Sequence, residues 1–259
     1  MYEIITFLTD YGLDDPFVGL CHAILATEAR HARVVDLTHG IGAQDVRHGA
    51  IVLADCVAFL PPAVHLAVVD PGVGTNRRPV ILRAGDALLV GPDNGLLWPA
   101  AARLGKATGA WEIVARAANP SRTFDGRAVF APAAAGLASG VSPAQLGPRV
   151  AVETLVRLDL PSPRITKDRL DTEVLLVDRF GNLQLAARPA DLDNAGLGHH
   201  LTVNDQPATR CETFAEITTL GVLPDAFGRL QIAVNNGSAA RLLRLGPCDT
   251  VKITHVSGA

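Results

Sequence analysis

The chain has 259 residues, of which 48% are hydrophobic and 19% charged. That is enough apolar material for one large or two modest folded domains, and too much for a disordered chain. A net charge of −3 and a pI near 6.2 give no basic stripe for nucleic acid and no polybasic tail for a membrane surface. No apolar run reaches membrane-spanning length and the first residues lack a leader pattern, so a cytoplasmic protein is expected. The four cysteines, at 21, 56, 211 and 248, form no C-x-x-C pair; Cys21 and Cys56 read as core thiols.

In chain order, Ile4–Thr9 reads as an apolar strand ending at Asp10. Asp14-Asp15-Pro16 opens a helix through Glu28, with an acid on the capping side and proline in the first turn. Arg33–Leu37 is the next strand, closed by Thr38-His39-Gly40. Gln44–Leu60 is helical, with Val46, Ala50, Leu53, Ala54 and Val57 at helical spacing. Leu66–Val69 is a buried strand that ends in Asp70-Pro71-Gly72-Val73-Gly74 and then delivers Arg77 and Arg78. Val80–Arg83 and Ala87–Val90 form a hairpin over Gly85-Asp86. A loop at Gly91–Gly95, a short helix over Leu96–Leu104 and a strand over Trp111–Ala115 follow. Thr123–Arg127 leads into an alanine-rich helix, Val129–Ser139.

This alternation predicts an α/β N-terminal domain, residues 1–160, with a largely parallel sheet. Beyond the proline-punctuated Leu160–Pro163, short strands at 173–177, 183–186, 201–203, 230–234, 240–245 and 251–256 predict a smaller all-β C-terminal domain, residues 165–259, barrel-like or a sandwich.

Ligands of open α/β sheets sit at the carboxyl ends of strands. Asp10, His39 and Asp70 all end strands and would line one rim. A single strand-end acid is as well read as a turn cap as a catalytic group; several converging on one rim favour a site. Carboxylates suit the vicinal hydroxyls of a sugar. There is no G-x-G-x-x-G after the first strand and no Walker A sequence, so a nucleoside-like ligand would lack phosphates. H-E-x-x-H and G-x-S-x-G are absent too. The histidines show no metal-ligand spacing, and the adjacent His199-His200 reads as a surface turn, so no metal is expected. In the C-terminal part, Asp178–Asn182 reads either as a hairpin turn or as a ligand loop, with Asn182 on a base or ribose edge and Phe180 or Phe214 stacking. Asn235–Ser238 is turn-like.

The ordered set Phe7–Gly12, Val34–His39, Val69–Arg78, Gly91–Gly95, Thr123–Arg127, Phe130–Pro132 and Asp178–Asn182 resembles the S-adenosyl-L-methionine hydroxide adenosyltransferases, or SAM hydrolases, relatives of the fluorinase and chlorinase. The likeness spans essentially the whole chain. It implies hydrolysis of S-adenosylmethionine to adenosine and L-methionine, with no cofactor or metal. It also implies a homotrimer with active sites between subunits, and neither nucleic-acid nor membrane partners. The family triad is Asp-Arg-His. Asp70 and Arg77 match its first two members, and Asp125 stands where the histidine belongs. By the same resemblance Asp10 holds ribose hydroxyls, and Asp15 and Asp178 face the methionine ammonium. Phe124 and Phe214 flank sugar or adenine, Asn182 contacts adenosine, and the backbone around Val234 to Asn236 meets the adenine edge. The halogenases carry Tyr at the position of Asp70, so Asp70 points to hydrolysis. A non-catalytic adenosine- or SAM-binding protein is the alternative reading.

Overall fold

The computed structural model describes residues 1–114 and 123–256. The chain divides into two compact units, Met1–Asp159 and Leu160–Ala259.

The first unit runs β1 (Ile4–Thr9), α1 (Phe17–Glu28), β2 (Arg33–Thr38), α2 (Val46–Val57), β3 (Val64–Val68), β4 (Pro79–Ala84), β5 (Ala87–Pro92), α3 (Trp98–Arg103), β6 (Ala107–Glu112), α4 (Ala131–Ala138) and β7 (Arg149–Val150). The strands form one sheet in the order β2-β1-β3-β5-β4-β6-β7. β2, β1, β3 and β5 are parallel; β4 folds back from β5 as a hairpin, and β6 and β7 continue antiparallel, so five of the seven strands point the same way. The sheet is covered on both sides, as parallel strands require. In β1, Ile5 and Phe7 pack with Val18, Cys21 and Leu25 of α1 and Leu137 of α4, while Leu8 packs on the other face with Leu53 of α2 and Ala100 of α3.

Several boundaries differ from the sequence reading for local reasons. Pro16, not Asp15, is the residue before α1, and no side chain caps that helix. Gln44 has φ +63° and lies outside α2, whose cap is Asp45 accepting from the His48 amide at 2.8 Å. The strand expected at Trp111–Ala115 lies earlier, at β6, and Ala115 falls outside the described residues. The alanine-rich helix opens with a wide π-type turn, Gly126–Phe130, before α4.

The second unit contains β8 (Arg164–Thr166), β9 (Arg169–Val177), β10 (Leu183–Leu185), β11 (His200–Val203), β12 (Gln206–Arg210), β13 (Gly221–Pro224), β14 (Leu230–Ala233) and β15 (Thr250–His255). The order is β10-β14-β13-β12-β11-β15-β9-β8, and β10 also pairs with β9. That extra pairing closes a seven-stranded barrel, with β8 attached outside the ring. β9 permits closure because it is long: Arg169–Glu173 pair with β15 on one edge while Val174–Val177 take β10 on the other. The barrel is filled by Leu170, Val174, Leu183, Leu201, Val203, Val222, Ile232, Val251 and Ile253. The strand expected over 240–245 is instead a helix, Ala239–Leu243. Ser238 caps it by accepting from the Arg241 amide at 3.2 Å, and Ala, Arg and Leu are strong helix formers.

Candidate active site

The carboxyl rim of the parallel strands in the first unit carries the charged cluster. β3 ends at Val68, and the chain turns through Asp70–Thr75. Thr75 bonds back to the Gly72 carbonyl through its amide (3.2 Å) and hydroxyl (2.7 Å), and its Oγ1 accepts from the Arg77 amide at 3.2 Å. Gly74 takes φ +79°, a left-handed conformation that closes the loop at little cost. The turn after β5 braces it: Asn94 Nδ2 donates to the Val69 carbonyl at 2.8 Å.

This loop folds Arg77 back on Asp70. Nε donates to Asp70 Oδ1 at 3.0 Å and Nη2 to Oδ2 at 2.5 Å, a bidentate fork. Nη2 also donates to Asp125 Oδ2 at 2.7 Å. The three side chains are only 6–8% exposed. The Phe130 ring lies 5.3 Å from the guanidinium carbon. One cation thus holds two buried carboxylates, one 7 and the other 48 residues away from it in sequence. Nη1 is buried and has no hydrogen-bond partner among the described residues. Burial is the main cause that raises the Asp70 carboxyl above its ordinary value of 3.8; Arg77 opposes this and the charge of Asp125 adds to it.

Asp125 stands at the entrance to the π-type turn. The turn brings the backbone against Tyr11: a Cβ on Gly126 would lie 2.2 Å from the tyrosine oxygen, so only glycine fits. Tyr11, Phe17 and Phe124 form a mutually tilted or edge-on aromatic trio, with centroids 5.0–5.9 Å apart. Burial, reinforced by Cys21, Asp10, Asp70 and Asp125, pushes the Tyr11 phenol well up, so it stays a neutral donor. The reading of the sequence held Tyr11 and Phe130 only as members of motifs, with no role assigned, and did not single out Phe17. Tyr11 and Phe17 lie within seven residues of Asp10, and an aromatic so near a strand-end acid was the available signal.

Asp10 follows β1, and its Oδ2 accepts from the Gln44 amide at 2.8 Å. Asp15 is exposed on the turn into α1. Arg78, the neighbour of Arg77, is structural: it binds Asp93 Oδ2 through Nε at 2.9 Å and Nη2 at 2.5 Å, and reaches the Thr154 carbonyl at 2.7 Å. Asp93 also accepts from the Val156 amide.

In the second unit the remaining candidates gather at one end of the barrel. Asp178–Asn182 joins β9 to β10. Asp178 Oδ1 accepts from the amides of Phe180 (2.9 Å) and Asn182 (2.8 Å), and Oδ2 accepts from Asn182 Nδ2 (2.8 Å). Three of its roughly four acceptor positions therefore hold its own turn. Gly181 (φ +85°) abuts Ser238, and the Ala240 amide donates to the Gly181 carbonyl, which ties this turn to the Val234–Gly237 turn. Asn236 sits in that turn with φ +55°. Phe214 opens a short 3-10 turn whose Ile217 packs on Ala233, the last residue of β14. Asn182 is buried, whereas Phe180 and Phe214 are 76% and 47% exposed.

Comparison with known proteins matches residues 5–147 to the SAM hydroxide adenosyltransferase N-terminal domain and residues 172–252 to its C-terminal domain. A protein of Salinispora tropica named (R)-S-adenosyl-L-methionine hydrolase is 51% identical, covering 96% of this chain and 97% of its own. One of the same name from Thermus thermophilus is 41% identical, covering 92% and 94%. Proteins named fluorinase match at 25–27% identity. A crystal structure of an uncharacterized conserved protein from Thermotoga maritima superposes with a TM-score of 0.90 at 32% identity, covering 97% of this chain and all of that one. The chain belongs to the SAM hydroxide adenosyltransferase family.

Proposed function

We propose that this protein hydrolyses (R)-S-adenosyl-L-methionine to adenosine and L-methionine. The observation that carries the reading is the buried Asp70–Arg77–Asp125 cluster, in which Arg77 Nη1 still has donors to offer. The sulfonium of the substrate is already a good leaving group, so nothing has to protonate it. What the reaction needs is an oxygen nucleophile held in line with the C5′–S bond. Arg77 Nη1 would hold the attacking water and stabilise the anionic character it acquires. A carboxylate, Asp70 in the first instance, accepts the water proton as the O–C5′ bond forms. The electrons of the C5′–S bond pass to sulfur, methionine departs as a neutral thioether, and the proton returns to solvent. No cofactor is called for. Two carboxylates at the nucleophile position repel a halide, which favours water over the chloride or fluoride chemistry of the distant relatives.

Asp10 supports ribose binding, Asp15 and the remaining acceptor of Asp178 support binding of the ammonium, and Phe124 flanks the sugar. Phe180, Asn182, Phe214, Val234 and Asn236 form the adenine-binding end of the barrel. As the resemblance implies, the working form is a cytoplasmic homotrimer with active sites at subunit interfaces. Among the described residues no helix is long and apolar enough to cross a membrane. Incubation of the purified protein with S-adenosylmethionine, followed by chromatography, yields adenosine and methionine in equal amounts. Adenosine no higher than in an enzyme-free control would overturn the proposal in favour of a protein that only binds the ligand.

A further inference from the structure

We propose a second site, away from the Asp70 cluster: His22, Asp36 and His39 bind one divalent transition-metal ion of the zinc type. This goes beyond the hydrolytic reading and does not depend on it. His22 lies on α1, Asp36 on β2, and His39 directly after β2. Their ligand atoms all lie within 4.8 Å of one another. Asp36 Oδ1 is 2.8 Å from His22 Nε2 and 3.2 Å from His39 Nε2.

A local irregularity builds the cluster. In a regular strand, side chains three residues apart point to opposite faces. Here the β1–β2 register slips: Phe7 pairs with Asp36, but Leu8 pairs with Thr38. The extra residue in β2, Leu37, reverses the alternation and brings His39 round to the same side as Asp36. This is why the linear spacing gave no metal signature.

The inner ligand is prepared for a cation. The His39 side chain is only 4% exposed, and its Nε2, 3.2 Å from Asp36 Oδ1 but without hydrogen-bond geometry to it, has no hydrogen-bond partner among the described residues. Its Nδ1 is paired with Thr9 Oγ1 at 2.8 Å, the outer contact that orients metal-binding imidazoles. Phe7 packs edge-on against the ring at 4.8 Å and fixes its plane. The two outer ligands, His22 and Asp36, are 34% and 42% exposed, so an ion can enter and keep water in its remaining position. Tetrahedral zinc with bonds near 2.0 Å needs ligand atoms about 3.3 Å apart. The carboxylate–imidazole separations, 2.8 and 3.2 Å, need shifts of about half an ångström or less. The two imidazoles, whose ligand atoms lie within 4.8 Å, must close by up to about 1.5 Å, a movement open to the half-exposed His22 side chain. Two imidazoles and one carboxylate suit zinc, cobalt or nickel, and do not suit the hard ions magnesium or calcium. The Gly12 amide donates to the His39 carbonyl at 2.8 Å, so a bound ion would also stiffen the loop carrying Asp10 and Tyr11.

The test is titration of chelator-treated full-length protein with zinc, by calorimetry, and with cobalt, by visible absorption. The expected result is one tight ion per chain, cobalt bands of a low-symmetry nitrogen–oxygen site, and a raised melting temperature. His22→Ala, which changes a partly exposed residue and should fold, weakens binding ~100-fold or more, and Thr9→Val weakens it ~10-fold. A double His199→Ala/His200→Ala variant binds as the parent does. Absence of zinc and cobalt binding in the parent would overturn the proposal, showing a cluster held only by protons. Binding undiminished in His22→Ala, or lost in the double variant, would overturn it equally.

Discussion

The two units carry their candidate residues in opposite ways. In the first, the charges are buried and spent on partners far away in sequence: Arg77 grips Asp70 and Asp125 at once, and all three side chains are nearly closed to solvent. In the second, the carboxylate of Asp178 is spent on its own turn, and the rings of Phe180 and Phe214 stand out in solvent. Fixed, desolvated charge is what a reaction centre needs, because it costs no reorganisation when charge develops. Exposed rings on rigid turns are what recognition of a flat aromatic ligand needs. The proposed function accordingly assigns the chemistry to the sheet rim and the recognition to the barrel end.

Mutations at the two places should separate accordingly. The largest effect is expected at the rim. Arg77→Ala or Asp70→Asn lowers kcat by ~1,000-fold, because each removes a group that acts on the developing nucleophile. Arg77→Lys keeps the charge but loses the fork and rescues little. A fall in substrate affinity with kcat preserved would reverse the assignment.

Asp125→Asn comes next, with a loss of about 100-fold. It also carries a pH signature. The proposed mechanism requires ionised Asp70, so activity is expected to fall on the acid side as Asp70 protonates, at a pH above the ordinary carboxylate value of 3.8. The negative charge of Asp125 is one of the causes that raise Asp70. Neutralising it lowers the Asp70 pKa, and the acid limb of the kcat/KM profile moves to lower pH. A limb that stays put or moves up would show that the two carboxylates do not sense each other.

On the barrel, Asp178→Ala is a stability change before it is a catalytic one. It leaves the amides of Phe180 and Asn182 and the buried Asn182 side chain without their acceptor. Denaturant unfolding should show a loss of about 2 kcal/mol; an unchanged midpoint would mean the turn holds without it. Smallest are Phe214→Ala and Phe180→Ala. Each raises KM about fivefold, for roughly 1 kcal/mol of lost stacking, and leaves kcat nearly unchanged. A drop in kcat with KM constant would place the rings in the chemistry instead.

The same contrast explains what was legible in the sequence. The order of β1, β2, β3 and β5 and the strand-end placement of Asp10 and Asp70 follow from short-range patterning, because a buried apolar run and its turn residues are adjacent in the chain. The hairpin return of β4 was visible at Gly85-Asp86. The barrel-like C-terminal domain was expected too, but strand spacing alone left barrel and sandwich open, since closure depends on β9 being long enough to pair differently along its two halves. Residues 240–245 misled because a short apolar run does not distinguish strand from helix, and the Ser238 cap decides. Among site residues, Arg77 and Arg78 look alike as text. The resemblance picks out Arg77, and the fold supplies the reason: Arg78 braces Asp93 while Arg77 turns inward. The grouping of His22 with Asp36 and His39 was hidden by a one-residue slip between β1 and β2.

The central claim is that a water held by Arg77 and deprotonated by a neighbouring carboxylate attacks C5′ of the substrate. Turnover in water enriched in heavy oxygen tests it most directly, with the products read by mass spectrometry. The account predicts the label in the 5′-hydroxyl of adenosine, one atom per molecule, and none in methionine. Unlabelled adenosine, or products in which the C5′–S bond remains intact, would contradict it.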